Sequence, residues 1–312
     1  MGMTLALRLA QKGHRVTILE AAPGPGGLAD AIQMQGIVWD RFYHVILMSD
    51  LNTRRILGEI GLEKELNWVE TKTGFYSDGK LYSMSNVIEY LKFPPISLFG
   101  KFRLGLTIIA ASLIKDWKRM ERIPVEKWLR RWSGNRVFNK IWLPLLRAKL
   151  GDQYKETSAS FIWTTIQRMY SARRTGLKKE MFGYVSGGYN RINSEFKKKL
   201  ESSGVDFIMN FKVRKVSRDN SEKIIVEDDL SHQLSFDSVI STLPSDISAW
   251  IAPDLERNEV EKHNAIKYLG VICPSVLLKR PISGYYVTNI TDTWPPFRSE
   301  EHTSELQSRQ VI

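Results

Sequence analysis

The sequence predicts an α/β fold in which insertions divide a parallel sheet into separate parts. A helix followed by a strand is expected in residues 1–20, and a second helix followed by a strand is expected in residues 188–208. A stretch rich in tryptophan, leucine and basic residues lies between them. The chain has 312 residues, of which 43% are hydrophobic, so it is long enough for two domains with cores.

The opening segment has the pattern of the second half of a dinucleotide-binding βαβ unit. Leu5 and Leu9 lie one helical turn apart and predict a short amphipathic helix, which Gly13 ends. The run "HRVTILEA" predicts a strand with Glu20 at its carboxyl end. In such units a glycine lets the helix pack closely, and an acid accepts hydrogen bonds from ribose. Gly2 and Glu20 fit these roles, and the alternative is an ordinary leader glycine and an exposed acid.

Both ends of the chain are expected to be incomplete. The first strand and the paired glycines of such a unit would precede residue 1, so Met1 is interpreted as an internal methionine. The stretch "RSEEHTSELQS" back-translates in frame to a common sequencing-library adapter, and residues 298–312 are interpreted as a non-native tail. The sequence is therefore interpreted as a gene fragment, inactive by itself.

The continuation "LEAAPGPGGLAD" resembles the superfamily of flavin amine oxidases, protoporphyrinogen oxidase-like proteins and phytoene desaturases. In that family a Gly-Gly loop passes close to the flavin nucleotide, and Gly26 and Gly27 match the pair. "YVSGGYNRINSEFKKKLESSGVDFIMNFKVRKV" is similar to the return segment, whose strand meets adenine, here near Val213. "FDSVISTLP" resembles the next strand and turn, with Thr242 at the turn. The resemblance implies a Rossmann-like FAD-binding domain that lacks its first strand and is interleaved with a mixed-sheet substrate domain.

Periodicity alone supports the later segments. Ile192, Phe196 and Leu200 recur every four residues and predict a helix that Gly204 ends. Alternation in "VDFIMNFKV" predicts one strand, and "KIIVEDD" and "FDSVIST" predict two more.

The substrate domain is expected to contain a hairpin and a set of later strands. "TGFYSDGKLYSMSN" predicts the hairpin, with Asp78-Gly79 as a type I′ turn. The later strands are expected after residue 265, where Val276 to Leu278 has the pattern of a buried run.

The predicted domain boundaries follow from these segments. They are FAD-binding residues 1–70 and 181–250, substrate-domain residues 71–100 and 251–297, a helical insertion at 101–180, and the tail at 298–312.

The positive charge is concentrated in the insertion. The chain carries +11, and residues 101–150 contain thirteen basic and three acidic residues, a net charge of +10. The apolar run 104–114 is too short to span a bilayer. One interpretation is a helical cap over the substrate cavity; the other is a surface for an anionic membrane, with Trp117, Trp128 and Trp132 near the headgroups. Nucleic acid is not expected, because no recognised binding fold accompanies the charge.

Two residues are of interest for the chemistry. Amine oxidases of the resembled family often place a lysine near flavin N5, and an alignment puts Cys273 at that position, which favours a desaturase-like reaction. Cys273 is the only cysteine, so it favours a reducing compartment, and it is expected to be a small buried residue. His44, in "WDRFYHVI", is the candidate catalytic residue, with a structural histidine as the alternative. No metal-ligand set is visible.

The resemblance implies an FAD-dependent oxidoreductase, desaturase-like or amine-oxidase-like, that transfers a hydride from a small organic substrate to flavin, and a cytoplasmic location is expected. Peripheral membrane association is an alternative location. Two other functions stay open: a non-redox flavin isomerase resembling the sugar mutases, and a membrane or scaffold protein without the chemistry.

Overall fold

A computed structural model describes residues 1–42, 44–83, 87–173, 181–270, 272–280 and 284–292. The predicted tail at 298–312 lies outside the described residues. The chain divides into two compact units. Unit 1 contains Met1–His44, Arg54–Leu66 and Val185–Gly270, and unit 2 contains Val45–Thr53, Asn67–Tyr184 and Val271–Ile312.

The described residues form thirteen strands and twelve α-helices. The strands are β1 (Val16–Leu19), β2 (Ala31–Met34), β3 (Ile37–Asp40), β4 (Ile46–Leu47), β5 (Leu66–Glu70), β6 (Thr73–Ser77), β7 (Lys80–Ser83), β8 (Met181–Val185), β9 (Val205–Ile208), β10 (Val213–Arg218), β11 (Ile224–Asp228), β12 (Gln233–Phe236) and β13 (Val287–Ile290). The helices are α1 (Gly2–Gln11), α2 (Leu51–Glu59), α3 (Val87–Lys92), α4 (Leu98–Leu113), α5 (Trp117–Glu121), α6 (Val125–Ser133), α7 (Asn135–Val137), α8 (Leu143–Leu150), α9 (Ala159–Arg173), α10 (Gly188–Ser202), α11 (Ser245–Ile251) and α12 (Arg257–Asn264). A π-helical turn, Phe138–Trp142, joins α7 to α8.

Unit 1 is built on a parallel pair of strands. β1 pairs with β9, with Val16 opposite Val205, and α1 and α10 pack against this pair. The predicted stripe of α10 is buried, and Leu200 packs in one core with Leu7 of α1. Both predicted helix–strand units are therefore confirmed, and their strands are neighbours in one sheet.

The predicted strand "VDFIMNFKV" is wrong as a single element. β9 ends at Ile208, and β10, which begins at Val213, belongs to a different sheet with β11 and β12. Asn210 lies between them with a φ of 57°. Asparagine tolerates this left-handed conformation better than most residues, so it breaks the strand and redirects the chain.

The predicted strand "FDSVIST" is also wrong. Only Phe236, at the end of β12, has strand structure, and residues 237–242 are outside any strand. Val239 and Ile240 have the composition of a buried strand, yet Ile240 is 59% exposed. A strand needs a partner for its ladder of hydrogen bonds, and no strand in the described part of the chain pairs with this segment.

The helices of unit 2 surround one apolar core. Phe138, Leu129 and Leu146 are fully buried in it. Ser133 Oγ accepts a hydrogen bond from Trp142 Nε1 at 2.9 Å and lies 2.8 Å from Thr107 Oγ1, so buried polar groups of α4, α6 and the π-helical turn satisfy one another. Between Leu98 and Arg173 the regular structure is helical, as the sequence predicts, whereas the boundaries 101–180 of the insertion stay a prediction.

Trp128 contradicts one detail of the membrane interpretation. Its side chain is buried in the core of unit 2, so it cannot lie near lipid headgroups. Trp117 and Trp132 are exposed. No helix found in the described ranges has the length and hydropathy needed to cross a membrane.

The predicted hairpin of unit 2 is confirmed. β6 and β7 are antiparallel, and Asp78 and Gly79 between them have φ of 54° and 71°, as a type I′ turn requires. The Asp292 carboxylate accepts hydrogen bonds from both turn N–H groups, at 2.7 and 2.9 Å. β13 adds to the other side of β6 in parallel, and β4, β8 and β5 form a second small sheet.

The expectation of a buried strand near Cys273 is wrong. Cys273 is exposed, and so are Val276, Leu277 and Leu278. Residues 272–280 contain no strand, although β13 does follow after residue 265 as expected. The apolar composition of this run was the only signal for burial, and composition does not provide a neighbouring strand.

Candidate functional site

The candidate site lies at the carboxyl ends of β1 and β9. Glu20 directly follows β1, and its N–H donates to the carbonyl of Ile208 at 3.0 Å. The N–H of Phe211 donates to the carbonyl of Glu20 at 2.9 Å, so the chain that leads into Val213 runs beside Glu20. Nucleotides bind at this edge of parallel sheets, outside the carboxyl ends of the strands. The sequence prediction that put Glu20 and Val213 near one ligand is compatible with this backbone geometry.

The Glu20 carboxylate has one oxygen available for a ligand. Oε1 accepts a hydrogen bond from the N–H of Ala22 at 2.9 Å, which fixes the side chain. Oε2 accepts no hydrogen bond from the described residues, and the side chain is half-buried. A carboxylate held in this way can accept a hydrogen bond from a hydroxyl group of a ligand.

The two predicted flavin-loop glycines have different surroundings. A Cβ on Gly26 would lie 2.7 Å from Asn193 Nδ2 and 3.1 Å from Asp30 Cα, and its φ is 152°. A Cβ on Gly27 would meet no atom of the described residues within 4 Å, and its φ is 58°. Gly26 is therefore required for close packing of the loop, whereas the backbone of Gly27 faces open space that a ligand can approach.

Asn193 is a residue of the site that the sequence reasoning missed. It is 7% exposed, and its Nδ2 donates to the carbonyl of Ala29 at 2.7 Å, so it holds the glycine loop against α10. The available signal was its position: Asn193 lies seven residues before Leu200, on the side of α10 that is otherwise apolar.

Gly2 and Thr242 lie next to each other. A Cβ on Gly2 would lie 3.4 Å from Thr242 Oγ1, which is ordinary contact, and Thr242 is exposed. Among the described residues no side chain caps the amino terminus of α1, so its first backbone N–H groups are available as donors. Such a helix terminus suits a phosphate group.

His44 lies beside the start of α10. Its Nδ1 is 2.8 Å from the carbonyl of Phe42, and its ring centroid is 5.0 Å from that of Tyr189. Asp40, which sequence reasoning did not single out as a site residue, accepts a hydrogen bond from the N–H of Tyr189 at 2.9 Å. A Cβ on Gly188 would lie 2.8 Å from Asp40 Oδ1, so a glycine is needed there. These contacts fit a structural role for His44, which is the alternative given in the sequence analysis. A catalytic role for His44 stays a prediction.

Taken together, the residues fit a dinucleotide. Glu20 supplies a hydroxyl acceptor, the uncapped start of α1 supplies N–H donors, and Gly27 leaves room for a close approach of the ligand. Within the described ranges, no group of three or more His, Cys, Asp or Glu side chains is placed to hold a metal ion.

Comparison with known proteins identifies the relatives of this fold. The family model "flavin containing amine oxidoreductase" matches residues 2–295. A putrescine oxidase structure with bound putrescine has a TM-score of 0.62 and 17% identity, over 84% of this chain and 60% of that one. A putative protoporphyrinogen oxidase from Exiguobacterium sp. 255-15 has a TM-score of 0.59 and 17% identity, over 83% and 60%. A RAB GDI from Plasmodium falciparum has a TM-score of 0.52 and 15% identity, over 76% and 62%.

These likenesses confirm the predicted α/β fold. At such identities the solved structures show the fold alone, and they include both oxidases and a RAB GDI. The chain spans about 60% of the length of the putrescine oxidase structures that it matches. A comparison with curated protein sequences gave no match.

Proposed function

Because the chain belongs to the family of flavin-containing amine oxidoreductases, we propose that it is part of an FAD-dependent oxidoreductase that oxidises a small organic substrate. The observation that supports this most directly is the Glu20 carboxylate. It follows β1 in the parallel pair, and its Oε2 is available for a ribose hydroxyl. When bound, the flavin would supply the redox chemistry by accepting a hydride.

The residues of the chain would bind and orient that cofactor. Glu20 would accept hydrogen bonds from the ribose hydroxyls, and the start of α1 at Gly2, beside Thr242, would donate N–H groups to the phosphates. The open backbone of Gly27 would let the nucleotide approach closely, while Gly26 keeps the loop packed. The strand that begins at Val213 would place backbone groups beside the adenine.

We propose that different parts of the chain bind the cofactor and the substrate. Residues 1–70 and 181–250 bind FAD, residues 71–100 and 251–297 belong to the substrate domain, and residues 101–180 form a helical segment over the substrate. The proposal is supported by the position of Glu20, Gly26 and Val213 in unit 1 and of the β6–β7 hairpin and helices α4–α9 in unit 2.

Anaerobic flavin reduction tests the proposed reaction. The complete protein of which this chain is part would be loaded with flavin and mixed, without oxygen, with amines such as putrescine and with donors that gain a carbon–carbon double bond on oxidation. We expect at least one donor to bleach the absorbance of the oxidised flavin. A protein that holds stoichiometric flavin but is reduced by no donor would instead be the isomerase or the scaffold.

Replacing Glu20 by alanine in the complete protein is expected to weaken FAD binding about tenfold, since the lost ribose hydrogen bonds are worth on the order of 1–2 kcal/mol. Flavin titration followed by fluorescence would measure the affinity. The matched control is Asp206→Ala, which removes an exposed acid of β9 with only a 4.0 Å contact to Arg15. An unchanged affinity in the Glu20 variant would remove the ribose role.

We also propose a cellular location and a second partner, a membrane surface, for the protein. The protein would act in the cytoplasm, against an anionic membrane surface, and not on nucleic acid. The membrane partner is supported by the charge of residues 101–150, since eight of the thirteen basic residues are exposed, against only two exposed acids, Asp116 and Glu121.

Charge removal tests the membrane partner. We expect the protein to sediment with anionic vesicles at low salt, and the triple change of Lys118, Arg119 and Arg122 to glutamine to weaken binding roughly hundredfold, from about 1 kcal/mol per charge. Changing three exposed lysines of unit 1 to glutamine instead is the control: Lys199, Lys212 and Lys262. Equal recovery of the unchanged protein with neutral and anionic vesicles would leave only the helical-cap interpretation.

A further inference from the structure

One side of α4 is apolar and exposed along its whole length. Its exposed residues are 40–75% accessible, and all are large and hydrophobic: Leu98, Phe99, Phe102, Leu106, Ile109 and Leu113. We call these six residues the α4 stripe. Single exposed apolar residues are common on proteins, but a continuous apolar patch marks a surface that meets another apolar phase.

Helix geometry shows that the stripe is continuous. At about 100° per residue, its six positions fall within an arc about 100° wide, and the distance from Leu98 to Leu113 is about 22 Å. The buried side chains of Leu104, Thr107 and Ala111 lie in the opposite arc, where they contact the core of unit 2. The helix therefore has one side for the core and another that faces outward.

The two charged residues of α4 are held away from the stripe. Lys101 is buried, and its Nζ donates to the carbonyl of Leu91 at 2.5 Å. Arg103 donates from Nε to the carbonyl of Trp132 at 3.0 Å and from a terminal nitrogen to that of Arg131 at 2.7 Å. The α4 stripe itself consequently contains no charged side chain.

Exposed tryptophan and basic residues belong to the segments that follow α4. Trp117 follows α4 closely in the chain, the bonds of Arg103 place Trp132 beside α4, and both indole rings are exposed. Four exposed basic residues also follow the helix: Lys115, Lys118, Arg119 and Arg122. Apolar side chains that enter the acyl region, indoles at the headgroups and cations against anionic lipid are the chemistry of an interfacial helix.

We infer that α4 lies in the plane of an anionic membrane and inserts the α4 stripe at the boundary between headgroups and acyl chains. The inference rests on the anionic membrane partner proposed above and goes further, because it assigns part of the binding to apolar insertion. The occupant of the surface is thus lipid, and not a second copy of this chain. Because apolar insertion is not screened by ions, part of the binding should resist salt.

Vesicle flotation with the full chain tests the inference. The stripe variant carries Phe102→Ser, Leu106→Ser and Ile109→Ser, all at exposed positions where little core packing is lost. We expect the unchanged protein to keep a bound fraction in high salt, and the stripe variant to lose at least about tenfold in affinity and all salt-resistant binding. The control makes three serine changes at exposed apolar residues elsewhere: Val69, Leu230 and Ile247.

The possible outcomes distinguish apolar insertion of α4 from the charge-based membrane binding proposed above. If the unchanged protein binds anionic vesicles at low salt but is fully released by high salt, apolar insertion is wrong and the charged partner stands. If it binds at neither salt concentration, both are wrong. Two further results would overturn the inference. One is salt-resistant binding that the stripe variant retains. The other is an unchanged protein that shows no salt-resistant binding but self-associates in sedimentation velocity, together with a stripe variant that does not self-associate.

Discussion

Replacing Gly26 by alanine is expected to destabilise the protein by about 3 kcal/mol and to lower its affinity for flavin at least tenfold. The new Cβ would lie 2.7 Å from Asn193 Nδ2 and 3.1 Å from backbone of Asp30. Asn193 is buried and bonded to the carbonyl of Ala29, so it can move only by giving up that bond. The loop that follows Glu20 would then separate from α10.

Gly27→Ala is the matched control for that change. Its φ of 58° makes alanine unfavourable by about 1 kcal/mol, but the methyl group would meet no atom within 4 Å in the part of the chain that the structure describes. We therefore expect a small loss of stability, measured by denaturant unfolding. If flavin approaches this backbone, its affinity should fall more than the stability does. Equal unfolding free energies for Gly26→Ala and the unchanged protein would show that the loop is not packed as described.

Phe138→Ala is expected to cost about 3–5 kcal/mol of unfolding free energy, because a large cavity would open in the core of unit 2. Phe138 is 0% exposed, and the Arg130 guanidinium lies 4.1 Å from its ring centroid. Since the ring packs among the helices of the insertion, their unfolding should shift to lower denaturant concentration, as measured by circular dichroism.

The control for this cavity is Phe99→Ala in the same unit. Phe99 is 68% exposed, so its loss should change the stability by no more than about 0.5 kcal/mol. A cost below 1 kcal/mol for Phe138→Ala would mean that the helical core is not packed around this ring.

The features predicted correctly from the sequence are those that depend only on residues close together in the chain. Helix α10 follows from the spacing of Ile192, Phe196 and Leu200, and the β6–β7 turn follows from Asp78-Gly79. Whether an apolar run becomes a strand depends on a partner elsewhere in the chain. For that reason the runs near Ile240 and Val276 were mistaken for strands.

The site shows the same division between local and long-range information. The position of Glu20 at a strand end is a local property, and the sequence predicted it. The role of Gly26 depends on the approach of Asn193, which lies more than 160 positions away in the chain. Neither residue propensity nor periodicity indicates that Asn193 approaches Gly26, so nothing in the sequence distinguished Gly26 from Gly27.

The pairing of β13 with β6 has a consequence for how the chain tolerates changes in length. Thr73 and Val287 are register partners across 214 positions, and residues 98–173 lie inside the loop that this contact closes. The entropy of closing a loop rises only with the logarithm of its length, so removing those residues would change the closure cost by about 0.4 kcal/mol. Evolution can therefore lengthen, shorten or exchange this helical segment with little entropic effect on the closure of the sheet.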